Sequence, residues 1–365
     1  MGSDRGSGGP NSADCAHRWA AERRDAARNG RFVDHPQTRW VDLVAHTGGR
    51  RNETWEGGAV LAVLCPGQGS QRPGMLTQWL EFADESNFTA ASHIEAWSQA
   101  ADLDLVELGS HADDETLRDT KNAQPLIVAL SILSWRIAQA RGASIPQVVA
   151  GHSVGEIAAL AIAGVISDGD AVRLAAIRGR AMAQAAAENE TTMAAIVGGK
   201  RPEVLAALDA HDVTPANING STQVVAAGST EAITALGENL PRGARLIPLS
   251  VAGAFHTHYM ADAVPAVRDA VENLVVSNPN CTLLSNHDGA ALHAGSQTVW
   301  RIVQQMTSPV RWDLCQEQLL SEGVTHAIEL APSGVLSGLA RRDLKGVATL
   351  ALAPDNIADL PGFLG

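Results

Sequence analysis

The stretch "AGHSVGEIAAL", residues 150–160, decides how this chain is read. It sets a serine between two glycines, behind the apolar run "PQVVA" (146–150) and ahead of the helix-forming run "GEIAALAIAG" (155–164). A glycine-flanked turn of this kind can be a plain strand-to-helix connection. It can also be a nucleophile elbow, because Gly151 to Gly155 fits G-x-S-x-G in the required order of strand, turn and helix. Glycines let the chain turn sharply and let neighbouring backbone come close. That leaves the Ser153 hydroxyl at the start of a helix, with the Val154 backbone N–H and the helix dipole placed to hold an oxyanion. Gly164 is a natural end for the helix.

Outward from the elbow, the chain alternates strands and helices. "AVLAVLCPGQGSQ" (59–71) reads as a buried first strand running into a Pro/Gly turn. Residues 123–141 read as a helix apolar on most faces, hence a buried one. Between 191 and 251 the rhythm shortens to strand, helix, two strands around a turn, helix, strand, which is the βαββαβ order of a ferredoxin-like module. Three more strand-like runs follow, "CTLLSN" (281–286), "THAIELAP" (325–332) and "VATLALAP" (347–354). They alternate with the helical runs "QTVWRIVQQM" (297–306) and "WDLCQEQLLSEG" (312–323). The expected fold is α/β: a large α/β-hydrolase-like domain with a parallel sheet (59–187 and 253–355), interrupted by a small ferredoxin-like subdomain (188–252). Their junction is a natural cleft.

Residues 1–58 differ from this body. They open Gly/Ser-rich, mix nine arginines with eight acidic residues and show little periodicity. With no apolar core segment they are not a secretory signal. They are expected to be a largely disordered extension, with a short helix near 16–28 as its one structured candidate.

Composition narrows the function classes. Apolar residues at 45% across 365 residues suit a globular α/β chain with a real core. The longest nearly apolar run, "PLIVALSILSW" from Pro125, stops at Arg136, too short to span a bilayer. Cys15, Cys65, Cys281 and Cys315 lie far apart, so they read as reduced thiols of a cytoplasmic protein rather than a disulfide frame or a metal site. A net charge of −13, of which the body carries −14, opposes a general affinity for nucleic acid or anionic membrane.

A serine nucleophile needs a base. His152 adjoins Ser153 but should point away from it on a sharp turn. "VAGAFHTHYM" (251–260) offers His256 and His258 where the small module rejoins the large one, and the residues alone do not separate the two. His211 sits on a surface helix. Gln68, in the Gly-rich turn after the first strand, could supply a second oxyanion N–H. Arg178, 25 residues beyond Ser153, is either a solvated helix arginine or, if buried, a bidentate clamp for a substrate carboxylate.

Taken together, "CPGQGSQRPGML", "GHSVGEIAALAIAGVIS", "IRGRAM", "NINGSTQVVAAG", "VAGAFHTHYM" and "SPVRW" resemble, in order and spacing, the malonyl-CoA:acyl carrier protein transacylases. The likeness spans roughly 60–352, and "LIPLSVAGAFHTHYMADAV" and "PVRWDLC" look similar to the free-standing actinobacterial enzymes in particular. It implies Ser153 as nucleophile and His256, not His258, as base. It further implies a backbone carbonyl at Gln305 orienting the imidazole in place of an acid, oxyanion donors at Gln68 and Val154, and Arg178 on the malonyl carboxylate. Asn217 and Asn219 are candidates for the cleft lining. Cys65 stands where the family commonly has Phe, a change expected to alter packing under the turn. "GAFH" (253–256) resembles the malonyl-selective form, with Phe255 filling the space an α-methyl would need. One methyl gives a pocket only about 1–3 kcal/mol of discrimination, so some leakage to other acyl units is expected.

The resemblance implies malonyl-CoA as substrate, acyl carrier protein as partner, and no metal or tightly bound cofactor. Carrier proteins of this kind are acidic, so docking on an acidic chain would need a local basic cluster, with Arg341, Arg342 and Lys345 as candidates. Service to a polyketide synthase instead of fatty acid synthesis would use the same residues. A serine hydrolase would share the elbow but should add an acidic partner for the base, and a non-catalytic thioester-binding subunit should lack the nucleophile or base.

Overall fold

The apolar pentapeptide Leu61–Cys65 forms β1, buried along its whole length, in a computed structural model that describes residues 59–82, 89–251 and 253–364. The expected N-terminal extension, with its helix near 16–28, lies outside the described residues. The further strands in chain order are β2 (Val148–Gly151), β3 (Thr191–Gly198), β4 (Thr214–Ile218), β5 (Gln223–Ser229), β6 (Ala244–Pro248), β7 (Thr282–Leu284), β8 (Ala291–Leu292), β9 (His326–Glu329) and β10 (Ala348–Ala351). The helices that matter for the site are α1 (Ala90–Ala101), α2 (Thr120–Ala140), α3 (Gly155–Ile162), α4 (Asp168–Ala187), α5 (Arg201–Ala210), α6 (Thr230–Glu238), α7 (Gly295–Gln305), α8 (Trp312–Ser321) and α9 (Val335–Asp343).

A six-stranded sheet in the order β10-β9-β1-β2-β7-β8 forms the frame. Its first five strands are parallel, and only the two-residue β8 runs antiparallel, against β7. Helices cover both faces of such a sheet, so its central strands are apolar throughout rather than alternating. β1 and β2 obey this at every position. Too short to show a pattern, β8 left no signal in the sequence.

Helix α2 is buried at nearly every residue. It starts three residues before the expected Ala123, because the Asp119 side chain caps it by accepting from Lys121 N–H. A second sheet, in the order β4-β5-β3-β6, is antiparallel and has its own apolar cluster, with Ile196, Leu208, Val224 and Leu236 against α5 and α6. It is joined to the segment before α8 by two backbone bonds: Ile218 N–H donates to Val310 C=O at 2.9 Å, and Val310 N–H donates to Ala216 C=O at 2.8 Å. Among the described residues no helix is long and apolar enough to cross a membrane.

The start of α3 is wedged against the end of β1. A β-carbon on Gly155 would collide with the carbonyl oxygens of Cys65 and Pro66, and one on Gly151 with the backbone of Gly155 and Glu156. Rigid backbone cannot yield as a side chain can. Gly155→Ala is therefore expected to lower unfolding stability by about 1–3 kcal/mol. Gly338→Ala, in α9 with open space around it, is expected to be neutral or to add up to about 1 kcal/mol. Denaturant midpoints of the two variants check both outcomes.

Candidate active site

At the end of β2 the chain turns through Ser153, whose φ is 54°, and enters α3. His256 also lies in the left-handed region, at φ 62°. The other two non-glycine residues of this kind among the described residues, Asp102 and Asp212, sit just after helices, where that conformation is ordinary. Left-handed Ser and His inside the fold are sparsely populated conformations held by their surroundings, which is where functional strain gathers.

The two strained residues face each other. Ser153 Oγ lies 2.7 Å from His256 Nε2, and His256 Nδ1 lies 2.9 Å from the Gln305 carbonyl oxygen at the end of α7. A carbonyl can only accept, so Nδ1 carries the proton and Nε2 is left to accept from the serine hydroxyl. Burial, and then the nearby Arg178 cation, push the His256 pKa down to about 3. The imidazole is thus neutral at any ordinary pH, with Nε2 free to accept a hydrogen bond. Among the described residues no carboxylate touches Nδ1, unlike the arrangement a Ser–His–acid hydrolase would show.

Arg178, on α4, is fully buried. Its Nη1 donates to Gln124 Oε1 at 2.8 Å and its Nη2 to Gln305 Oε1 at 2.8 Å, while Nη2 also approaches Ser153 Oγ at 3.4 Å. Nε has no partner among the described residues. Burial lowers this guanidinium to about pKa 10, against the raising effect of Glu156, so it remains a cation. Two neutral amides hold a full positive charge beside the serine, with N–H groups still free. Such a group recruits an anion, and a planar carboxylate fits its fork.

The loop after β1 rests on the elbow, since a β-carbon on Gly67 would strike the His152 carbonyl. The Gln68 side chain donates to Thr120 Oγ1 at 3.1 Å. No acceptor among the described residues takes the backbone N–H of Gln68 or of Val154. His152 points the other way: its ring packs edge-on against Trp312 and its Nε2 donates to Asn219 Oδ1 at 2.8 Å. His258 is exposed and stacks on Tyr259, and His211 bonds the Ala207 carbonyl at the end of α5.

Phe255 is buried beside His256. Asn217 and Asn219 are buried as well; Asn219 holds His152 and donates to Gln223 Oε1, and Asn217 bridges to Val310. Arg341, Arg342 and Lys345 are exposed at the end of α9. Cys65 is fully buried, and burial pushes its thiol far above the usual range, which leaves it a packing residue. Among the described residues no three His, Cys, Asp or Glu side chains converge to hold a metal ion.

Sequence reasoning missed three residues that build this centre. Gln124 holds Arg178. Glu156 accepts from Asn286 N–H at 2.7 Å and from Gln305 Nε2, and its burial pushes its pKa up to about 8. Asn286 bonds both backbone ends of the elbow. A lone acid inside the apolar run "GEIAALAIAG" was a readable signal for Glu156; nothing local marked Asn286.

The acyl transferase domain family matches residues 63–365. The malonyl CoA-acyl carrier protein transacylase of Mycobacterium tuberculosis is 47% identical over 304 residues, covering 82% of this chain and 99% of that protein. The crystal structure of MCAT from Mycobacterium tuberculosis superposes with a TM-score of 0.77 at 46% identity, over 82% of this chain and 99% of that one. A malonyl-transacylase solved in complex with its type II polyketide synthase acyl-carrier protein superposes with a TM-score of 0.76 at 29% identity, over 82% and 99%.

The depressed His256 sets a pH expectation. A base whose pKa lies near 3 stays unprotonated as pH falls through 6.5, so acylation of Ser153 should show no inflection near the ordinary histidine value. Arg178 is the second of three causes that depress it, after burial and ahead of His152, so removing its charge should raise the His256 pKa. In Arg178→Ala the acid limb of the residual acylation rate should move to higher pH, and stopped-flow acylation across pH checks both shapes.

Proposed function

The chain belongs to the acyl transferase domain family, and from that premise we propose that it carries malonyl groups from malonyl-CoA to the phosphopantetheine thiol of acyl carrier protein through a malonyl-serine. The observation that carries this reading is a buried, amide-held arginine 3.4 Å from a serine hydroxyl that is itself hydrogen-bonded to a neutral histidine. Nucleophile, base and carboxylate binder meet at one point.

In this mechanism the malonyl carboxylate docks on Arg178. Ser153 Oγ attacks the thioester carbon as His256 Nε2 takes its proton, and the Gln305 carbonyl steadies the imidazolium that forms. The oxyanion of the tetrahedral intermediate takes the free N–H groups of Gln68 and Val154. Collapse breaks the C–S bond, and the imidazolium returns its proton to the departing CoA sulfur. The carrier-protein thiol then attacks the malonyl-serine by the reverse sequence, its proton passing to His256 and finally to Ser153 Oγ. Each half is a transfer between oxygen and sulfur and needs no outside reductant or oxidant.

Phe255, beside the base, is the residue proposed to favour malonyl over α-methyl acyl groups. The body is proposed to divide at 188–252, with the antiparallel sheet as the smaller part and the acyl cleft at the junction, near which Asn217 and Asn219 lie. Arg341, Arg342 and Lys345 are the proposed basic contact for the carrier protein. The likeness to a malonyl-transacylase of a type II polyketide synthase favours a second reading for the acceptor alone, in which the same chemistry feeds a polyketide carrier.

Incubation with malonyl-CoA followed by intact-protein mass spectrometry tests the proposal. A single malonyl adduct is expected on the unmodified protein, discharged by holo acyl carrier protein and absent from Ser153→Ala. An adduct that persists in Ser153→Ala refutes it. Arg178→Ala should slow malonyl loading by about 10²-fold or more, since truncating one partner of a buried charged pair costs about 2–5 kcal/mol. Acetyl loading should fall less, which competition between acetyl-CoA and malonyl-CoA measures.

A further inference from the structure

Asn286 lies in the loop after β7, has no exposed surface, and makes contacts that the reaction as described does not explain. Strand β7 runs parallel to β2, and the two pair as far as Ala150 and Leu284. Past that point β2 ends and the chain swings into left-handed Ser153. The Ser153 N–H and the Gly151 C=O would then be left without a strand partner in a buried place, and unpaired buried backbone is costly.

The Asn286 carboxamide meets both. Its Oδ1 accepts from Ser153 N–H at 2.7 Å, and its Nδ2 donates to Gly151 C=O at 2.6 Å. Its own backbone is pinned on either side, with N–H donating to Glu156 Oε1 at 2.7 Å and C=O accepting from Arg311 N–H at 2.7 Å. A side chain held that firmly can hold something else. We propose that Asn286 positions the nucleophile: its carboxamide replaces the missing strand and keeps Ser153 in the left-handed conformation that aims Oγ at His256. The proposal rests on the reading of Ser153 as the acylated residue. Asn286 touches neither reacting atom, so it is a positioning residue. By engaging the Ser153 N–H it also leaves the neighbouring N–H groups of Val154 and Gln68 as those open to an oxyanion.

Asparagine has a carboxylic counterpart that makes the idea testable. Neutral aspartic acid has the same shape and offers one donor and one acceptor, whereas ionised aspartate offers acceptors only and would set an oxygen against the Gly151 carbonyl. Asn286→Asp should therefore be impaired when ionised and recover on acidification. The groups facing this position are Glu156 from α3, Cys315 Sγ from α8 at 3.8 Å from Nδ2, and the Gln305 amide from α7 at 3.4 Å from Oδ1. Arg178 and Arg301 act behind Glu156, and Asp313 and Asp288 behind Cys315.

Single-turnover malonylation is measured per folded molecule for the full chain and its variants. At about pH 9, Asn286→Asp should acylate about 10²-fold more slowly than the parent, the loss typical of a misplacement near 1 Å. Its KM for malonyl-CoA should stay within about twofold, because substrate binding groups are untouched. As pH falls to about 6 the variant should climb toward the parent rate, read as the variant-to-parent ratio at each pH so that the titration of Glu156, common to both, cancels. Asn286→Ala should be slow throughout and show no such climb. Ser131→Ala removes a similarly buried hydrogen bond, to the Ala331 carbonyl, and should leave the rate unchanged.

Parent-like acylation by Asn286→Asp at every pH, or equal slowness at every pH, overturns the proposal. So does an equal loss in Ser131→Ala, which would mark general destabilisation. If the parent itself takes up no malonyl group, the functional reading fails instead, and the two failures are told apart by that one lane.

Discussion

The backbone of Gly155 lies against the carbonyls of Cys65 and Pro66 so closely that no β-carbon fits between them, and the rest of the site is built on that contact. It brings the first turn of α3 against the loop that carries Gln68, whose Gly67 in turn lies against the His152 carbonyl beside the serine. The chain leaves β2 and enters α3 within four residues, passing through left-handed Ser153. Strand pairing cannot follow such a turn. A buried side-chain amide from the loop after β7 completes the hydrogen bonding instead.

A second constraint is electrostatic. The molecule buries an arginine and a glutamate without joining them in a salt bridge. Gln305 stands between the two, accepting from Arg178 through Oε1 and donating to Glu156 through Nε2, while its main-chain carbonyl holds His256. A direct bidentate pair would neutralise the guanidinium and remove its value to a substrate anion. With an amide interposed, Arg178 keeps its charge and unpartnered N–H groups, and Glu156, its pKa pushed up to about 8 by burial, offsets that charge only to the extent that it is ionised. The same cation helps hold His256 neutral, which a proton acceptor needs. One glutamine thereby links acid, clamp and base, so its amide and its carbonyl cannot be considered apart.

How much of this was legible varied with how local the cause was. The elbow, β1, the buried helix expected from Ala123 and the βαββαβ order of 191–251 all follow from apolar period and from Gly and Pro placement, which act over a few residues. Ser153 could be named for the same reason. His256 and His258 could not be separated by their own surroundings in sequence, because what distinguishes them is whether a carbonyl 49 residues away meets Nδ1. Arg178 was ambiguous until its burial was known, since a helix arginine in water and one beneath a cleft have the same neighbours in the chain. Gln124 and Asn286 gave no signal, as polar residues are ordinary in helices and loops and only their partners make them unusual.

By itself, then, the sequence determined the α/β class, the elbow with its serine, and, through six linked motifs, the family. These are set by local backbone preference and by hydrophobic burial, which a single chain segment expresses without help. Tertiary structure alone decided which histidine meets Ser153, that the arginine is fully buried and amide-held, and that Asn286 bonds both backbone ends of the elbow. Those outcomes depend on pairs 25 to 135 residues apart meeting within hydrogen-bond distance. Direction and distance at that scale come from how the sheet and helices pack, and no short stretch of residues encodes them.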